Sequence, residues 1–291
     1  MHLMAKQDHW PLRYDLLQRY RLIEIIALWE GKLNATHLTG YFGIGRQQAS
    51  KDINDYLKGI APGNLEYNAS AKGYEPSANF QPKLTSGLVD EYLQLAQRNS
   101  DLVTTFHNLS LGLDHTHMMP LPQYRVRPEV FRVIAKACQK NERIEVDYRS
   151  INSPNKDGRI IAPHSIVHSG LRWYVRAWCE KNQEFRDFVL TRFYGVPEVI
   201  GKSDVQSDAD FNWMTRVNVC FKPDGRLTPE QQAVVAGDYG MSDNRLLITV
   251  RGSMVQYLLQ MMNVDQNTVS ADPKAQQIVI ENIEAHKQWL F

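Results

Sequence analysis

Between Leu12 and Leu57, apolar residues recur at helical spacing in three runs separated only by short glycine-bearing turns. In the first run Leu12, Leu16, Tyr20, Ile23, Ile26 and Ala27 fall along one face, and Gly31 ends it just past Trp29. Asn34, Ala35 and Thr36 offer capping side chains for a short second helix with Leu38 and Phe42 turned inward. Gly43-Ile44-Gly45 is a tight turn, and a third helix follows from Arg46 to about Leu57, with Ala49, Ile53 and Leu57 inside. After Pro62-Gly63, the segments Leu65–Tyr67 and Lys72–Glu75 flank Asn68-Ala69-Ser70-Ala71 as a small hairpin closed by Pro76. Three helices followed by a hairpin predict a winged helix-turn-helix.

The third helix turns Arg46, Gln47, Gln48, Ser50, Lys51 and Asn54 outward. A helix braced by two others fits the major groove, where Arg and Lys suit guanine and Gln and Asn suit adenine. Ser50 and Lys51 suit phosphates equally well, and on the hairpin Lys72, with Asn68 and Ser70, suits backbone or minor groove. Charge adds little. The whole chain carries 33 basic against 32 acidic residues, and residues 1–76 hold nine Lys or Arg against eight acids, a net of +1. One copy would neutralise few phosphates, so the expectation is a dimer reading two half-sites of a double-stranded operator.

Residues from about Lys83 to Leu113 read as helical, with Leu84, Leu88, Tyr92, Leu95 and Ala96 on one face, and Pro120-Leu121-Pro122 marks a boundary. A helix from Val130 to Gln139 and strands at Arg143–Tyr148, Arg159–His168, Leu171–Cys179 and Phe185–Phe193 follow, with Gly195-Val196-Pro197 closing the unit. Asp204–Asp210 reads as a polar linker. The remainder alternates as strand Arg216–Phe221, a helix opened by Thr228-Pro229-Glu230, strand Arg245–Val250, helix Ser253–Met262 and a strand near Gln277–Ile280. Tyr257, Leu258, Met261 and Met262 serve either as a dimer contact or as that module's own core. No apolar run is long enough to cross a membrane, and the first fifteen residues carry four charges where a signal peptide is apolar, so the expected location is the cytoplasm.

Catalytic and metal chemistry find no support in the motifs. Cys138, Cys179 and Cys220 lie about forty residues apart, and there is no P-loop, HExxH or GxSxG. His164 and His168 would align on a helix, but they sit in a strand pattern. The expectation is a non-enzyme with neither metal nor cofactor.

In Pro163–Trp178, strand alternation sends Trp173, Val175 and Ala177 to one face and Tyr174, Arg176 and Trp178 to the other. On the next strand Arg186, Phe188, Leu190 and Arg192 share a parity, which would bring two guanidinium groups near Tyr174 and His164 as an anion pocket. This stretch resembles the WYL-domain family of bacterial regulators, whose signature is a proline, a loop, Trp-Tyr-Leu on a strand and a following Phe-Arg-x-Phe-x-Leu-x-Arg strand. The match is Trp173-Tyr174-Val175 and Phe185–Arg192, with Val in the third position and Val189 and Thr191 where members often carry Arg and Asp. The order of parts is most similar to the regulators that repress phage-defence operons of the BREX and CBASS type.

The resemblance implies a central Sm-like β-barrel that senses a nucleotide or nucleic-acid effector, with Tyr148, Ser150, His164, Tyr174, Arg186 and Arg192 at the ligand positions and Trp173 and Trp178 as packing. It also implies a C-terminal dimerising extension. The chain is thus expected to be a multi-domain α+β protein: a winged helix-turn-helix over 1–80, a helical connector over 81–122, the WYL domain over 123–202 and a small α+β dimerisation domain over 203–291. The function expected is a homodimeric repressor of a phage-defence operon on an inverted repeat. An activator, or an accessory protein that binds single-stranded nucleic acid, is the alternative.

Overall fold

The structure, a computed structural model, describes residues 12–95, 125–151, 157–265 and 270–290. The chain divides into two compact units, residues 1–120 and 121–291.

In the first unit α1 (Tyr14–Glu30), α2 (Ala35–Phe42) and α3 (Arg46–Gly59) precede the hairpin β1 (Leu65–Asn68) and β2 (Gly73–Pro76). Gly31 and Gly43 end α1 and α2 in the left-handed region, where a side chain would be strained. Asn34 caps α2 in a reciprocal box with His37. Leu33 exchanges two 2.7 Å backbone hydrogen bonds with Tyr74, so the segment before α2 becomes a third partner of the hairpin. Gly73 is required at that crossing, because a Cβ there would stand 2.9 Å from the Leu33 carbonyl oxygen.

Helix α1 is buried more widely than a one-faced helix would be. Leu22 and Ile25 are buried beside Tyr20, Ile23, Ile26 and Ala27, because Tyr41, Phe42 and Leu95 cover that further side. Leu95 belongs to a helical stretch that begins at residue 89, not at Lys83. Residues 83–85 are instead a loop whose backbone N–H groups are claimed by Glu24. The expected continuation to Leu113 and the proline boundary at 120–122 lie outside the described residues.

The second unit opens with α4 (Pro128–Lys140), which packs on strands β3 (Glu142–Tyr148), β4 (Asp157–His168), β5 (Trp173–Cys179), β6 (Glu184–Val189) and β7 (Phe193–Lys202). Their order is β6-β5-β4-β3-β7, every pair antiparallel. Among the described residues β6 and β7 share no ladder, so the sheet is open where a closed barrel was expected. The fourth expected strand is two: a one-turn 3-10 helix at Leu190–Arg192 breaks it, and β7 runs on through Gly195 and Pro197, which were expected to close the unit. Glycine and proline are tolerated there because β7 is an edge strand whose pairing with β3 is bulged. Ile134, Ile144, Ile161, Val175, Ala177 and Phe188 form the core.

Past the sheet come a short helix α5 (Phe211–Met214), β8 (Arg216–Pro223), α6 (Pro229–Asp238), β9 (Leu246–Arg251), α7 (Val255–Met261) and β10 (Ile278–Ile280). The strands order as β10-β8-β9 around a separate core of Val219, Phe221, Val255, Leu258 and Ile278. The alternation expected from the sequence is present element by element. Tyr257 and Leu258 are buried within this unit, while Met261 is exposed. Among the described residues no helix is long and apolar enough to cross a membrane.

Candidate nucleic-acid interface and sensing domain

The inner face of α3 is held by polar contacts that its apolar spacing does not announce. Asp52, almost fully buried, takes the Arg19 Nε of α1 at 2.7 Å and the Gln48 side chain at 2.7 Å, and Arg19 also reaches Asp15 at 3.2 Å. One turn on, the Tyr56 hydroxyl donates to Glu24 at 2.9 Å, and burial followed by the Glu24 charge pushes that phenol well above its ordinary range. Glu24 is 0% exposed, yet its carboxylate accepts from the backbone of Lys83, Leu84 and Thr85 and from the Thr85 hydroxyl. Two buried carboxylates thus fix α3 against α1 and tie the chain after the wing to the same helix.

That bracing leaves the other face free. Arg46, Gln47, Gln48, Ser50, Lys51 and Asn54 are all exposed, and five of them, Gln48 being the exception, line one shallow concavity together with Asp55 and Lys58. Gln48 spends its amide on Asp52, so it steadies the helix as well as facing outward. Lys58, absent from the outward stripe expected from the sequence, continues that stripe four residues beyond Asn54. On the wing Lys72 is exposed at a positive φ of 53°, and the Asn68 side chain caps the turn by accepting from Ala71.

The residues expected at the ligand site separate into three places. Tyr148 is 4% exposed, its ring packed edge-on against Phe188 and Phe193, and its hydroxyl accepts the Val189 N–H at 2.9 Å. Burial raises the Tyr148 phenol, and the Val189 hydrogen bond and the Arg192 guanidinium beside it act in the opposite direction. Arg159 lies over the same ring at 5.8 Å. Ser150 follows where β3 ends. Tyr148, Ser150, Arg192 and Arg159 therefore gather near one end of the sheet, and Arg149 stacks over Tyr194 at 4.2 Å beside them.

Arg186 does not join them. The register sets it opposite Ala177, on the sheet face of Val175 and Phe188, whereas Tyr174 is on the other face; Arg186 is exposed and paired with Glu184. The shared parity of Arg186 and Arg192 fails because β6 stops at Val189, and the 3-10 turn resets the alternation before Arg192.

His164 and Tyr174 lie under the C-terminal module. Pro163 pairs with Ala177 and Ser165 with Arg176, so His164 is the extra residue of a β-bulge. Its Nε2 is 3.2 Å from Asp210 and its Nδ1 2.9 Å from the Ser165 hydroxyl, with Phe185 and Trp213 edge-on. Arg176 reaches both oxygens of Asp210, at 2.7 and 3.1 Å, and Asp187 at 3.4 Å. Asp187 accepts from the Tyr257 hydroxyl at 3.1 Å, and Tyr257 lies against Tyr174 with ring centres 4.8 Å apart.

Burial alone would raise the Asp210 carboxyl, but hydrogen bonds from His164 and Arg176 outweigh it and hold it down to about 2. Burial dominates at Asp187, whose carboxyl is raised. Asp210 was expected in a linker. It is 2% exposed and also caps α5 through the Trp213 N–H, so it fastens the WYL sheet to the module after it. Among the described residues no cluster of His, Cys, Asp and Glu could hold a metal ion.

Residues 15–98 match the BrxR transcriptional regulator winged helix-turn-helix domain, residues 129–197 the WYL domain, and residues 216–286 the BrxR transcriptional regulator C-terminal dimerization domain. A DNA-binding transcriptional repressor CapW of Pseudomonas aeruginosa is 32% identical over 271 residues, covering 93% of this chain and 90% of that protein. One from Escherichia coli (strain KTE188) is 31% identical over the same shares, and one from Stenotrophomonas maltophilia is 29% identical over 99% of this chain and 96% of that protein. A solved proteasome accessory factor B/C of Arthrobacter aurescens aligns at 16% identity and a TM-score of 0.26 over 94% of this chain and 47% of that chain. The chain belongs to the CapW and BrxR family of transcriptional regulators, with its winged helix-turn-helix, WYL and C-terminal dimerization domains in that order.

Proposed function

We propose that this chain is a homodimeric, cytoplasmic transcriptional repressor that binds an inverted-repeat operator upstream of a phage-defence operon. The observation that carries the reading is α3: its inner face is pinned to α1 through Arg19 and Asp52, and its outer face presents Arg46, Gln47, Ser50, Lys51, Asn54 and Lys58 on one exposed surface. Arg46, Gln47 and Asn54 have the donors and acceptors that read base edges, and Ser50, Lys51, Lys58 and the wing's Lys72 suit phosphates. Two copies would set their recognition helices about 34 Å apart, in successive major grooves.

The WYL domain is assigned the sensing of a nucleotide or nucleic-acid effector, at the end of the sheet where Tyr148, Ser150 and Arg192 meet. His164 and Tyr174 contribute through the buried contact with the C-terminal module and not as an open pocket. An effector that prefers one arrangement of that contact by a few kcal/mol would shift operator occupancy strongly.

The test is binding of the purified protein to the DNA upstream of its own operon, against scrambled DNA of equal length, across a salt series. Salt-sensitive binding to the upstream DNA alone, at two chains per site, supports the reading. Equal weak binding to both, or preference for single strands, rejects it in favour of the accessory role.

A further inference from the structure

The WYL sheet has an apolar cleft beside the one-turn helix Leu190–Arg192. It encloses about 340 Å³ between the start of α4 and the sheet, and its lining is Val126, Phe131, Ile166, Trp173, Leu190 and Thr191. Small-ligand clefts begin at about this size and are mostly apolar with a few placed polar groups. Two features set it apart from an ordinary gap in packing. Trp173 is 42% exposed and Phe131 40% exposed, so both aromatic side chains stand partly open to solvent. The lining residue Thr191 is followed directly by Arg192, in the one-turn helix that joins β6 to β7.

The register makes the neighbourhood a matter of geometry and not of sequence alone. Tyr174 pairs with Val189, and the Val189 N–H bonds the Tyr148 hydroxyl, so the first residues of β5 and the tip of Tyr148 both reach the strand end that leads into the 3-10 turn. Among the described residues neither Arg192 nor Arg149 has a carboxylate at ion-pair distance, whereas Arg143, Arg176 and Arg186 each have one. Arg192 thus stands without a counter-ion one residue beyond the lining of an aromatic cleft.

We propose that this cleft is a ring-binding subsite: it takes a flat aromatic ring against Trp173 and Phe131, while Arg192 receives an anionic group carried by that ring. The ligand class is a nucleoside phosphate, whether a free nucleotide or the end of a single strand. Aromatic side chains stack any base, and a half-buried guanidinium suits a phosphate by charge-assisted hydrogen bonds. This inference rests on the effector reading above and adds Trp173, expected to be packing only, and Phe131 to its contacts.

Calorimetric titration of the full-length protein with nucleoside 5′-monophosphates, the corresponding nucleosides and a four-nucleotide single strand tests it. The expected result is that monophosphates or the single strand bind and that nucleosides bind at least tenfold more weakly; whichever of the first two binds more tightly identifies the source of the group. Trp173→Leu and, separately, Phe131→Ala should each weaken binding by about tenfold, within the range measured for loss of one base stack. Arg192→Gln should erase the difference between monophosphate and nucleoside. Phe131 lies on the first turns of α4 and is partly exposed, so its variant keeps the test valid if the Trp173 variant misfolds. Full-strength binding by both aromatic variants overturns the subsite while leaving the effector reading intact. Absence of binding by every probe to the unaltered protein overturns both.

Discussion

Arg19 and Asp52 show what a single buried pair does for a recognition helix. Both are close to fully buried, and removing one partner strands the other as an uncompensated charge. Arg19→Ala should therefore cost about 3 kcal/mol or more, read as a fall in the urea midpoint of the N-terminal transition. Retained stability would mean that Gln48 alone suffices to hold Asp52. Gly252 gives a second residue-scale expectation. A Cβ there would come within 2.4 Å of the Trp289 ring and 2.9 Å of the Asn212 carbonyl oxygen, so Gly252→Ala should destabilise the C-terminal module by about 1 to 3 kcal/mol. Thermal melting of the variant checks this. Neither residue stands out in the sequence: one of two Arg residues in a helix with apolar stretches and a glycine after a strand carry no periodic signal.

At the scale of elements, α3 separates two kinds of contact that DNA binding can distinguish. Lys51 and Lys58 are exposed cations on the outer stripe, and withdrawing one such cation from a phosphate should flatten the salt dependence of operator affinity by about one in the log-log slope. Lys51→Ala should do this with little change in sequence preference. Asn54→Ala and Gln47→Ala should instead relax preference at one or two base pairs, measured by competition against single-base operator variants. An unchanged salt slope for Lys51→Ala together with Lys58→Ala would remove that stripe from the interface. The outer stripe was legible because helical periodicity fixes which residues face away from Ala49 and Ile53. The strands after it were legible in part. β4 and β5 were anticipated within two residues at each end, yet the phase was not, since the 3-10 turn at Leu190–Arg192 resets the alternation after β6 and the bulge at His164 shifts it within β4.

For the molecule as a whole, the contact of His164, Arg176, Asp187, Asp210 and Tyr257 ties the WYL sheet to the module that follows, and it has a sign in pH. Asp210 is held at about 2 in the folded state, below its ordinary value of 3.8, so its contribution to stability is present above about pH 4 and is lost as pH falls toward 2. The size is about 2 kcal/mol by the difference in pKa. Asp187, raised by burial, acts in the opposite sense and offsets part of this. Asp210→Asn should lower stability at neutral pH and flatten the decline between pH 4 and 2, measured by denaturant titration at stepped pH. An equally steep decline in the variant would place the acid sensitivity elsewhere. The sequence by itself determined the order of parts, the helices and most strands, the outward stripe of α3 and the family, because periodicity, capping residues and the Trp173-Tyr174-Val175 strand are local patterns. Only the tertiary structure decided that Asp210 is an anchor, that Arg186 and Tyr174 lie on opposite faces, and that Trp173 borders a cleft, because pairing register and burial are set by residues far away in the chain.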